Sequence, residues 1–80
     1  MSADLVKHSV LVAGHRTSVS LEPEFWLALQ HLAKRNDRSI NAEIGAIDAS
    51  RGTRNLSSAI RLAILCDYET RLGLHGGVAD

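Results

Sequence analysis

Two stretches near the start of the chain alternate in polarity. "VKHSVLV" (Val6–Val12) places Val6, Val10 and Val12 on one side, with His8 among them. "HRTSVSL" (His15–Leu21) places Thr17, Val19 and Leu21 on one side and Arg16, Ser18 and Ser20 on the other. Strict alternation is the period of a half-buried strand. Gly14, between them, can take the positive φ needed at the first central position of a type II′ turn. With Gly14 and His15 in the loop, Val12 pairs with Thr17, Val10 with Val19 and His8 with Leu21. That face is mostly apolar. The opposite face then carries the pairs Leu11/Ser18 and Ser9/Ser20. Both alternations agree with this register, which predicts a hairpin.

The period then changes to helical. Pro23 suits a first helical turn, where a missing N–H leaves no bond unmade. Phe25, Leu29, Leu32 and Ala33 form an i, i+4, i+7, i+8 stripe, widened by Trp26. Asn36-Asp37 reads as the stop, behind basic Lys34 and Arg35. A second helix opens at Ser39, whose hydroxyl can cap an early N–H, and buries Ile40, Ile44 and Ile47; Gly52 ends it. A third opens at Asn55. Its "LSSAIRLAILCDY" is apolar almost all round, the mark of a helix covered on most sides. One small protomer can hardly supply that cover, so the third helix points to a dimer. The expected fold is mainly α with a short β-ribbon or hairpin, one domain over residues 1–80. The ends, 1–4 and the glycine-rich 73–80, are expected to be unstructured.

Eighty residues bury little surface, and many chains of this size gain stability by assembling. Nine basic and nine acidic side chains leave no net charge, which argues against a nonspecific polyanion binder but not against a local basic face. The single cysteine, Cys66, lies in an apolar run and is expected to be a small buried thiol. No secretory signal is visible and no run is long enough to span a bilayer, so a cytoplasmic protein without membrane contact is expected. His8, His15, His31 and His75 lack ligand spacing, and no nucleophile–base pair or cofactor loop is identifiable. No metal, cofactor or enzymatic activity is expected.

A polar-faced strand, a Pro-started helix, a short turn and "RSINAEI" (Arg38–Ile44) follow in that order. From Arg16 to Ile47 the chain resembles the ribbon-helix-helix DNA-binding proteins, the group of the Arc and Met repressors, which read DNA with a β-ribbon. With "FW" and "NLSSAIR" it also looks like a small bacterial subgroup of these domains, here with an added C-terminal helix. The resemblance implies a homodimer whose strands pair across a two-fold axis and enter the major groove of double-stranded DNA. The implied base readers are Arg16, Ser18 and Ser20. Arginine can bond guanine O6 and N7 together, while serine serves donors or acceptors alike. The implied phosphate grip is the start of the second helix: the N–H groups of Ile40 and Asn41, the Ser39 hydroxyl and the charge of Arg38. The implied role is a transcriptional repressor.

Four alternatives stand beside these expectations. "NLSSAIRL" also resembles the opening of the family's second helix, which would move the grip to Asn55, Leu56 and Ser57; the shorter connection favours Ser39. Arg38 could serve only to pair with Glu43. The hairpin, too, competes with groove entry. Paired in both protomers it gives four strands, about 14 Å across three spacings, against a groove about 12 Å wide. The first strand is then a mobile arm, or it peels off on binding, or the face meets something other than duplex DNA. A dimeric protein-interaction module, adaptor or antitoxin-like, is the alternative function.

Overall fold

The computed structural model describes residues 4–73. The two alternating stretches form β1 (Val6–Val12) and β2 (His15–Leu21), an antiparallel pair. Three helices follow: α1 (Pro23–Arg35), α2 (Ile40–Ser50) and α3 (Leu56–Arg71). Of the ends expected to be unstructured, 1–3 and 74–80 lie outside the described residues.

The hairpin exists, but its register differs from the sequence expectation by two residues. Val10 faces Thr17, His8 faces Val19 and Val12 faces His15. The loop is Ala13-Gly14, not Gly14-His15. Ala13 has φ 52° and Gly14 has φ 81°, the two left-handed residues of a type I′ turn, whose twist matches that of the strands. Alanine there is strained, which is why Gly14 alone suggested the wrong loop. A two-residue slip keeps the faces. Val10, Val12, Val19 and Leu21 are therefore buried as expected.

Each helix begins where local chemistry supports it. Pro23 opens α1 without a side-chain cap, Ser39 Oγ accepts from Ala42 N at 3.0 Å, and Asn55 Oδ1 accepts from Ser58 N at 2.8 Å. Asp37 at φ 58° turns the chain out of α1, and the N–H of Arg38 closes on the Ala33 carbonyl at 2.9 Å. The inner face of the hairpin lies on Leu29, Leu32, Ile44, Ile47, Ala59, Ile60 and Ile64, one core drawn from every element. Phe25 and Trp26 pack against its margin. Ion pairs pin the helices at two points: Arg61 to Glu22 at 3.0 Å, and Arg35 to Asp67.

Candidate functional site

Strand alternation sorts the hairpin's side chains onto two faces. Lys7, Ser9 and Leu11 from β1 share the outward face with Arg16, Ser18 and Ser20 from β2. All but the half-buried Ser20 are exposed. The face carries two cations and no carboxylate, so a neutral chain presents a locally basic surface. The three implied base readers thus stand side by side on one strand. Sequence reasoning placed Ser9 and Leu11 on this face but gave them, and Lys7, no role.

The two edges of the hairpin are not equivalent. A two-residue loop makes its flanking pair, Val12–His15, the hydrogen-bonded one. Pairs then alternate, so the backbone groups of Lys7, Ser9 and Leu11 point away from β2, and those of Arg16, Ser18 and Ser20 away from β1. On the β1 edge, the N–H of Leu11 donates to Asn41 Oδ1 of α2 at 3.2 Å. The β2 edge at Arg16, Ser18 and Ser20 meets no hydrogen-bonding group among the described residues. It is an open pairing edge. Nothing local in the sequence announces the Asn41 contact, which spans thirty residues.

That contact brings the two parts of the implied site together. Ser9, Leu11, Arg16 and Asn41 line one small concavity of about 170 Å³ between the outward face and the start of α2. The N–H groups of Ile40 and Asn41 lie in the first turn of α2, where no helical acceptor exists for them. The Ser39 oxygen is occupied by Ala42 N, which leaves its proton to donate. Arg38 is less free. Its guanidinium reaches Glu43 at 3.4 Å, as the second expectation for it allowed. Glu43 is only 4% exposed and also accepts from Asn36 Nδ2 at 3.1 Å. This carboxylate locks the α1–α2 turn and compensates the charge of Arg38.

Two further features matter. Phe25 and Ala28 of α1, with Leu62, Leu65 and Tyr68 of α3, line an apolar groove of about 410 Å³. Glu24 and Arg61 lie at its margin, and the Glu22–Arg61 pair ties its end to the end of β2. α3 is thus left partly uncovered. Cys66, expected to be buried, is exposed on it, because α3 turns Ala59, Ile60 and Ile64 inward and Cys66 lies off that buried side. His8 stacks on Trp26, with ring centres 3.6 Å apart and planes 4° from parallel. Its Nε2 is buried without a hydrogen-bond partner among the described residues. Among the described residues, no group of three His, Cys, Asp or Glu side chains could hold a metal ion. No helix there is long and apolar enough to cross a membrane.

Neither the curated proteins nor the solved structures contain a match to this chain. The ribbon-helix-helix domain family matches residues 5–68, from the residue before β1 to three residues short of the end of α3. The match therefore takes in the hairpin, the first two helices and most of the added third helix. The chain is a member of the ribbon-helix-helix domain family.

Proposed function

We propose that this chain is a homodimeric regulator of transcription that docks the outward face of its hairpin on duplex DNA. The observation that carries this is the placement of Arg16, Ser18 and Ser20, on one face of a strand whose edge is open. A second copy pairing along that edge satisfies its backbone groups. The same copy covers the apolar groove between α1 and α3, which begins where β2 ends. Arg16 then reads guanine and Ser18 and Ser20 read neighbouring bases. Ile40, Asn41 and Ser39 hold phosphate at the start of α2, with Arg38 contributing less because Glu43 already holds it. A repressor acting in the bacterial cytoplasm, with no cofactor, fits this scheme.

The hairpin sets a condition on the docking. Val10 and Val12 are 5% and 6% exposed. Detaching β1 would uncover both, at about 1.5–3 kcal/mol each, a loss of about 10²- to 10⁴-fold in affinity for each protomer that opens. β1 therefore stays in place, and the dimer meets DNA with a four-stranded sheet. Its twist lets the two central strands reach inward while the outer strands rest at the groove's rims. Fluorescence anisotropy on duplexes is the test. Binding should weaken with salt, and Arg16→Ala should cost about 1–3 kcal/mol and relax base preference. Absence of salt-dependent binding by the wild type at low ionic strength sinks the proposal. The width of the four-stranded sheet favours one rival, a dimeric module that offers the same face to a protein. A single stoichiometric protein partner, with no nucleic acid, would favour that rival.

A further inference from the structure

We infer that β1 takes part in recognition, and that Leu11 reads the 5-methyl group of a pyrimidine beside the guanine contacted by Arg16. This rests on the DNA-binding proposal and goes beyond the three β2 readers. Leu11 is 50% exposed on the outward face, at its loop end beside Arg16. Every other side chain of that face, Lys7, Ser9, Arg16, Ser18 and Ser20, is polar or charged. A lone exposed leucine means little; its setting gives this one meaning.

Leu11 stands directly opposite Arg16 in the register. By the alternation from the tight loop this is a non-hydrogen-bonded pair, in which side chains stand closest, with Cα atoms about 4.5 Å apart. The backbone of Leu11 is also held. Its N–H is bound by Asn41 Oδ1, and its neighbours Val10 and Val12 are in the core. Leu11, Arg16 and Asn41 line the same concavity. An apolar tip is thus fixed next to a guanidinium and next to the start of α2.

The breadth of the sheet favours this role. In a dimer joined along β2, the Leu11 backbone lies one and a half strand spacings, about 7 Å, from the sheet's midline measured across the strands. Half the width of the major groove is about 6 Å. Leu11 therefore overhangs the groove's outer margin, where it can lean inward. The pyrimidine 5-methyl lies toward that margin, away from the middle of the base pair. It is also the one apolar feature of the major-groove edge of the bases, and apolar side chains contact it. Thymine and 5-methylcytosine offer the same methyl group.

The experiment selects preferred sites for the wild-type dimer from a pool of randomised duplexes. Anisotropy then follows a selected site in which each thymine is replaced in turn by deoxyuridine, which removes only the methyl group. At one position per half-site, wild-type affinity should fall about three- to fivefold. Leu11→Ala should bind the two duplexes equally and keep its guanine preference. Methylating a cytosine placed at that position should restore wild-type binding. Leu11 is exposed, so the variant keeps the fold; its circular dichroism and urea midpoint check this. Site selection by the wild type with no deoxyuridine effect at any position overturns the role of Leu11 and leaves DNA binding standing. An unchanged methyl response in Leu11→Ala does the same. No duplex binding by the wild type overturns both.

Discussion

Val10→Ala separates the two ways in which the hairpin could meet DNA. Val10 is 5% exposed and packs in the core from the inner face of β1. The substitution removes two methyl-sized groups, about 0.8 kcal/mol each in transfer terms, and leaves a small cavity. The fold should lose about 2 kcal/mol, read as a lower urea midpoint by far-ultraviolet circular dichroism with little change in slope. Protomer concentration is kept equal, because dimerisation adds to apparent stability. DNA affinity should not change, since β1 stays docked in both the free and the bound protein. If β1 had to peel away to bind, the variant would have less burial to give up. Its affinity would then rise by as much as the fold lost, about 30-fold for 2 kcal/mol in one protomer and about 10³-fold where both strands peel. Such a rise would refute docking with a four-stranded sheet. An unchanged urea midpoint would refute the placement of Val10 itself.

Other expectations follow from single features. Ala13→Asn should raise the melting temperature, because asparagine tolerates the left-handed φ that Ala13 holds at 52°. A gain of about 0.5–1 kcal/mol is a rise of several degrees for a chain of this size. A lower melting temperature would support the Gly14-His15 loop, which puts residue 13 within a strand. His8→Phe keeps a ring on Trp26 and removes the unpartnered Nε2. Stability should rise by about 1 kcal/mol; a loss in a urea melt would mean that Nε2 has a partner after all. The Glu22 carboxyl is held below its ordinary range by its own backbone N–H and by Arg61, against a partial opposing effect of desolvation. Its folded-state pKa is depressed, so its stabilisation is present above the unfolded-state pKa. That stabilisation is lost as pH falls through the folded-state value. Glu22→Gln should flatten the acid limb of stability in a pH series of urea melts; an unchanged limb would rule out the pairing with Arg61.

Strand and helix positions were legible in the sequence because both rest on local pattern. Alternation marked Val6–Val12 and His15–Leu21, and the 3.6-residue stripe with Pro23, Ser39 and Asn55 marked the helices. Val10, Val12, Val19 and Leu21 turned inward as expected, since a face depends only on parity and a two-residue slip of register does not alter parity; Val6 and Thr17 share that face but stay exposed. The loop is not legible because Gly14 is the obvious left-handed residue and Ala13 is not. Only the twist of the paired strands made a strained alanine acceptable there.

What the sequence determined by itself is this order of elements, the apolar faces and the polar run Arg16, Ser18, Ser20, because each depends on residues within a few positions of one another. Tertiary structure decided three things that link distant residues. Asn41 takes up the Leu11 N–H on the β1 edge and does not reach β2. Glu43 pairs with Arg38 and ties down the turn before α2. α3 buries one side and leaves Cys66, Leu65 and Tyr68 exposed. A periodic pattern states which side of an element is apolar, but not which neighbour arrives to cover it. That depends on how the elements pack together, and a stretch of sequence read locally carries no term for it.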